Sequence, residues 1–551
     1  MLVWRTKKTM FFKSGSAMLA IAIILSILLS VFSTIVMSYI SMATPIGPWI
    51  APTLALMAMP IISLFRMKSV YTERVSLVTA AGSVGGILAT GMGFSLPTLY
   101  FVDPALFNSW MAQPLYFAGM LTALALAAGS FGLWIANVLE HKFIVEQQLA
   151  FPVGQLVYKM IAVQHQVKKS WDLFYGFIGT TVFCIFQDGV GGVKSFIPKA
   201  ITLLPKITLG LLHIPAIRFD VWPMVWAIGF VTGHVIAIPL AVGAAAKIVL
   251  IDPLNYGYFT ALTNIEFILA FCSGMVISGT LLSFINAPRL LWKAVKKLVD
   301  NGMSFNFTNS GASISKMHLI QFGCILFFLI LFLTYLGLSF LAQLYLLIFT
   351  AMCSYEISDQ AGKMGLARLG MFATFVMVPG MLLFDLTLVH VVFIAAFVEI
   401  CGGVAADVLF GRKLAQCAGI KSSKVESYQW LGLLISGLTV GVVFWLLINH
   451  FQLGSPELFA LKAQNRQLLI DAHNFNVYVL ILGFIFGFVL KELKINASLV
   501  LGGILMPISI SMGLIIGGLC TLFTKDREQW YPFWSGVFAA NSVWMLIKAL
   551  L

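Results

Sequence analysis

The chain has 551 residues, 60% hydrophobic and 10% charged, against roughly 25% charged in soluble domains, which excludes a water-soluble fold. Its net charge of +13 sits mostly in short Lys/Arg segments between apolar runs, a pattern that reports topology and excludes a nucleic-acid-binding face. The class is all-α: a polytopic integral membrane protein surrounded by membrane lipid, each span needing about 20 apolar residues.

The first apolar run, about 17–40, is too long for a signal-peptide core and reads as a retained helix. Arg5, Lys7, Lys8 and Lys13 before it place the N-terminus in the cytoplasm by the positive-inside rule. A second run near 45–65 returns the chain to Arg66, Lys68 and Arg74, and runs near 76–101 and 109–139 enclose an outside loop with Asp103. Lys142, Lys159, Lys168 and Lys169 mark the next cytoplasmic segment, from which a helix near 170–191 runs outward.

The Pro-containing stretch 196–217 decides the count. If it crosses, Arg289, Lys293, Lys296 and Lys297 lie inside and the Asp252 loop lies outside, so we take it as a crossing. Eight further runs follow, near 318–339, 340–355, 367–387, 388–411, 427–449, 475–490, 496–522 and 530–550. The sum is about 16 transmembrane helices in two eight-helix halves, 1–286 and 318–551, joined by a basic cytoplasmic linker, 287–317. Both halves begin and end inside, as a parallel duplication would. The expected setting is a bacterial inner (plasma) membrane, with N- and C-termini cytoplasmic.

An enzyme has little support, since H-E-x-x-H, G-x-S-x-G and the G-x-x-x-x-G-K-[ST] phosphate loop are all missing. The seven cysteines form no C-x-x-C pair, and neither a metal site nor a cofactor is expected. Without a nucleotide engine on the chain, transport would draw on a gradient or a separate subunit. Ionisable groups inside apolar runs are costly and mark function by default. Glu399 and His234 lie near mid-helix, Glu266 about two turns from its helix end, and Asp407 nearer an end. Glu399 is the first candidate for proton coupling, with Asp407 and Glu266 behind it, and His234 is a substrate-binding candidate.

Six stretches resemble one known family in the order it uses them. EQQLAFPVGQ, 146–155, is similar to a Leu-Pro-Phe/Tyr-Pro-x-Gly-Thr-Ala signature, keeping Phe151, Pro152 and Gly154, with Ala150 for a proline and Gln155 for a threonine. Before it, 71–101 parallels a small-residue helix leading to Phe-x-x-Pro. After it, 271–284 keeps Gly274, Met275 and Gly279 of a Gly-Ala-Gly-x-Met-x-x-Gly-Gly pattern, and 404–420 keeps Asp407, Gly411 and Gln416. Near the end, 499–519 parallels a Gly-x-x-x-x-Pro helix, and SGVFAANSVW carries Ala540 and Asn541 where Gly and Glu are common. The family is that of the oligopeptide transporters, including the yellow-stripe-like branch.

The resemblance implies a sixteen-helix secondary transporter of small peptides or peptide-like solutes, working by alternating access and coupled to protons. Its alternatives are a metal-chelate, siderophore-like transporter of the same fold and, from another class, a membrane-embedded lipid-modifying enzyme or a partner subunit. The segment Phe151, Pro152, Gly154 and Gln155 would then re-enter the membrane and offer a helix N-terminus to a peptide carboxylate. A homo-oligomer is compatible with the sequence.

Overall fold

The computed structural model describes residues 2–44, 47, 49–64, 71–162, 167–188, 195–205, 207–209, 212–214, 217–260, 262–278, 316–364, 367, 369–471, 476–506, 508–524 and 527–550. The fold is an all-α bundle. Among the described residues seven helices are long and apolar enough to cross a membrane, and five more apolar helices are shorter. The expected basic linker lies, up to residue 315, outside the described residues, as does Gly279.

Two helices form the centre. Tyr71–Ser95 is buried from Val75 onward, and Leu388–Cys417 is buried from Val391 to Ala415. The first can be enclosed on all sides because much of it is Gly, Ala, Ser and Thr, which let neighbouring backbones approach closely. The second starts at Thr387, whose Oγ1 accepts from the His390 N–H while the Thr387 N–H donates to His390 Nδ1. With Nδ1 accepting, Nε2 carries the proton and donates to the Leu336 carbonyl at 2.6 Å.

The central pair runs antiparallel. Ser83 meets Asp407, Ile87 meets Gly403, Gly91 meets the Ile400 backbone and Ser95 meets Glu399, so one helix rises as the other descends. Helices Leu2–Ala43, Pro114–Glu140 and Ser422–His450 surround the pair. Arg412 clasps this ring at one end, donating to Glu140 at 2.9 Å, to Gln429 and Asn137 at 2.8 Å and to the Ser422 hydroxyl.

A second group pairs helices from opposite ends of the sequence at mutually apposed glycines. A Cβ on Gly176 would strike the Phe533 carbonyl, and one on Gly536 the Leu173 carbonyl. Gly229 and Gly517 meet in the same way across Pro223–Thr232 and Ile508–Phe523, Gly243 and Gly503 across His234–Ala246 and Ala497–Leu505, and Gly274 and Gly483 across Asn264–Ser278 and Val477–Glu492. Helices Val167–Asp188 and Arg527–Leu550 run parallel, since Gly176 lies at Phe533 and, further on, Asp188 Oδ2 accepts from Trp544 Nε1 at 2.8 Å. Pro223–Thr232 and Ile508–Phe523 are also parallel: Val225 meets Gly513, Trp226 meets Gly517 and Gly233 meets Gly518.

The stretch 196–217 departs from expectation. It does not form a helix; Ala200–Leu204 pairs antiparallel with Ile217–Asp220, and Ile207–Leu209 with Leu212–Ile214. Pro198, Pro205 and Pro215 deny a helix its N–H donors, and the Ile-Thr pairs 201–202 and 207–208 favour extended backbone. These strands are too short to span a bilayer.

Candidate functional site

Two short helices enter the bundle through the same local geometry. Phe151, at φ 44°, precedes Pro152–Ala162, and Ala460, at φ 53°, precedes Leu461–Ile470. A left-handed turn at a residue with a Cβ costs about 1–3 kcal/mol, so surrounding contacts must hold it. They do so reciprocally: the Phe151 N–H donates to the Gly362 carbonyl at 2.8 Å, and the Ala460 N–H to the Met42 carbonyl at 2.6 Å.

At the first helix the Phe151 ring stands edge-on to Phe410, centroids 5.7 Å apart. Pro152, exposed, takes the first helical position, where its missing N–H costs nothing. The Gln155 N–H closes the first turn on the Phe151 carbonyl at 3.2 Å. Gly154 is buried against helix Leu388–Cys417, where a Cβ would strike the Phe410 carbonyl and sit 3.3 Å from Lys413 Cβ. Beside this contact lies a small cavity lined by Thr79, Ser83, Val153, Val157 and Gly411 among others, with room for roughly one water-sized particle.

Asp407 is buried and does not itself line that cavity. Its Oδ2 accepts from Ser83 Oγ at 2.7 Å, and Ser83 also lines the cavity. No ion pair reaches Asp407 among the described residues.

Glu399 belongs to a different environment. Arg466, on Leu461–Ile470, donates from Nη2 to Glu399 Oε1 at 2.6 Å and from Nη1 to Ser95 Oγ at 2.8 Å and the Phe94 carbonyl at 3.0 Å. Ser95 Oγ donates in turn to Glu399 Oε2 at 2.5 Å. Lys462 Nζ lies over the Phe94 ring, 5.9 Å from its centroid. Every ring and oxygen in this cluster comes from the central pair or the short helix, and both charges of the ion pair are sealed from solvent.

The structure thus brings Phe151, Gly154 and Asp407 to one face of helix Leu388–Cys417, with Pro152 and Gln155 on the same short helix. Glu399 sits farther along that long helix, in the Arg466 cluster. His234 is exposed at the start of His234–Ala246, directly after Gly233 at φ 77°, in the second helix group. Glu266 is also exposed and makes a capping box: its carboxylate accepts from the Thr263 N–H at 3.0 Å and hydroxyl at 2.8 Å, and its N–H donates to Thr263 Oγ1.

Sequence reasoning missed Arg466, Lys462, Ser95 and Ser83. One signal pointed to the first two: Lys462 and Arg466 fall in the segment that the charge count leaves outside, where basic residues are disfavoured. Their four-residue spacing puts them on one helical face.

A model of the OPT oligopeptide transporter protein family matches residues 20–269 and 314–541. No curated protein matches the chain. The match spans both groups of helices, both short helices and the central pair. The chain therefore belongs to the oligopeptide transporter family and is an integral membrane protein of transport, built to move oligopeptide-like substrates.

Proposed function

We propose that the protein is a secondary active transporter of small peptides or peptide-like solutes, working by alternating access and coupled to protons. The observation that carries this reading is the pair of short helices, Pro152–Ala162 and Leu461–Ile470, inserted from opposite parts of the chain against an antiparallel pair that holds two buried acids. Non-helical turns and half-length helices inside a membrane bundle are tolerated where protein or a solute path satisfies the backbone.

In this reading the two halves, 1–286 and 318–551, are repeats. The apposed glycines and the antiparallel central pair support an inverted relation rather than the parallel one that charge counting suggests. Proton coupling falls to Glu399. Protonating it would leave the Arg466 guanidinium without its counter-charge in a sealed site, at a cost of several kcal/mol, and so would drive Leu461–Ile470 out of its seat. The Phe151–Gln155 segment contacts substrate through its backbone, and His234 lies at the break between two half-helices where a solute would pass. Glu266 is assigned a capping role. Transport is favoured over a lipid-modifying enzyme by the family, and the peptide reading over a metal-chelate cargo by the family description.

The test is uptake of labelled peptides into proteoliposomes with and without an inward pH gradient, comparing Glu399→Gln with the parent. Gradient-driven uptake by the parent that is lost in the variant is expected. Equal uptake by both removes Glu399 from the coupling.

A further inference from the structure

The two short helices enter alike but differ in charge. Counting from the left-handed residue, the second and sixth positions are Val153 and Val157 in one helix, and Lys462 and Arg466 in the other. Arg466 is engaged by Glu399, Ser95 and the Phe94 carbonyl. Lys462 is not: among the described residues its ammonium reaches no carboxylate, and what it meets is the Phe94 ring at 5.9 Å. The cluster therefore sets two cations against one acid.

A surplus charge inside a membrane bundle is costly unless it faces water or meets an anion. Lys462 stays partly exposed, whereas Glu399, Arg466, Ser95 and Phe94 are buried. An ammonium open to hydrocarbon would be costlier still, so the opening belongs to an aqueous space. Non-helical backbone borders the same place. Gly47 lies in the irregular connection between Leu2–Ala43 and Ala51–Leu64 and is partly exposed, and a Cβ on it would stand 3.4 Å from Phe94 Cζ. Trp49, further along that connection, stands edge-on to Phe410, centroids 4.7 Å apart. The connection thus runs from the seat of one short helix to that of the other, as irregular backbone lining a solute path would. Beside Lys462, Leu461–Ile470 starts without a side-chain cap, so its first N–H groups and its dipole also favour an anion.

We infer that Lys462 is the binding point for a carboxylate of the transported solute, held by the ammonium and by the start of Leu461–Ile470. The inference rests on the transport reading and deepens it by naming the group that the second short helix recognises. With the carboxylate bound, two cations face two anions. Val153 and Val157 offer no charge at the matching positions of the other short helix, so the acidic end of a solute is directed to one side only.

The experiment uses the full-length purified protein in lipid nanodiscs and three labelled probes: dialanine, dialanine amide, and alanyl-aspartate amidated at its C-terminus. Dialanine is expected to bind about tenfold or more tightly than its amide. Binding of the amidated alanyl-aspartate as tight as that of dialanine would show that a side-chain carboxylate also fills the site; weak binding would restrict it to the C-terminal one. Lys462→Met should weaken dialanine by about tenfold or more and leave acid and amide bound equally, while Lys462→Arg keeps the preference. Because the ammonium has no acid partner, ligand-free Lys462→Met should melt at or above the parent's temperature. The proposal is overturned if neither carboxylate-bearing probe binds the parent better than dialanine amide, if Lys462→Met keeps the preference, or if ligand-free Lys462→Met melts well below the parent. Dialanine uptake into proteoliposomes is assayed in parallel. Lys462-dependent carboxylate binding without uptake would sink the transport reading alone, and uptake equal for acid and amide in the parent and in Lys462→Met would sink only the subsite.

Discussion

Arg466 and Glu399 form a 2.6 Å ion pair from which water is excluded on both sides, joining the short helix Leu461–Ile470 to the middle of Leu388–Cys417. A buried pair of this kind is costly to break from one side only. Glu399→Gln and Arg466→Met are each expected to destabilise the fold by about 3–5 kcal/mol, because each leaves one buried charge alone. The double variant should recover a large part of that loss. Unfolding in detergent as a double-mutant cycle checks it, and simple additivity would show that the two charges do not act together.

Ala460 is left-handed and almost wholly buried, and its amide is fixed to Met42. Ala460→Gly removes the Cβ penalty and keeps the hydrogen bond, so it should stabilise the protein by up to about 1 kcal/mol. Phe151→Gly relieves the same strain but deletes a buried ring, which costs about 3–5 kcal/mol, and should be clearly destabilising. Melting temperatures of the two variants should therefore move in opposite directions.

Gly229 and Gly503 each press on a carbonyl of the paired helix, Leu514 and Leu240 respectively. Alanine at either site must push two backbones apart and should cost about 1–3 kcal/mol. Gly119, by contrast, has nothing within 4 Å of where a Cβ would stand. Gly119→Ala should be neutral or stabilising by about 0.5–1 kcal/mol. Similar gains at all three positions would show that helix propensity, not close approach, governs these glycines.

The parallel run of Val167–Asp188 and Arg527–Leu550 fixes where the chain ends. Lys168 and Lys169 start the first helix, and Trp544 near the end of the second meets Asp188 at the far end of the first. The C-terminus is then expected on the face opposite Lys168 and Lys169, not beside a cytoplasmic N-terminus. A C-terminal tag should be cleaved by protease in intact spheroplasts and protected in inside-out vesicles; the reverse pattern would refute the arrangement.

Much of the architecture was legible because a bilayer leaves helices few alternatives: the apolar runs became helices, and the family motifs marked the segment at Phe151. The topology was less legible, because counting treats every apolar run as one full crossing. Pro223–Thr232 and Ile508–Phe523 are half-length pieces that pack parallel, and 200–220 holds strands, so hydropathy alone could not order them. Depth identified Glu399 as a buried acid, whereas Asp407, nearer a helix end, was marked by the family motif around it, and the partners of both were invisible. Ser95, Ser83 and Arg466 are far away in sequence, and a serine on a small-residue helix reads the same whether it packs or binds. His234 and Glu266 were chosen by distance from helix ends, and both stand at the start of helices once the breaks are known.

The glycine crossings set the kind of motion available to this bundle. Where two helices touch backbone to backbone at facing glycines, sliding would force the next residues' Cβ atoms into carbonyls, whereas turning about the contact would not. Each crossing is thus a pivot. Four such pivots link early and late segments of the chain, so rearrangement would proceed as a scissoring of paired helices about fixed fulcrums, with the largest swings at the membrane surfaces and the least at the crossings themselves.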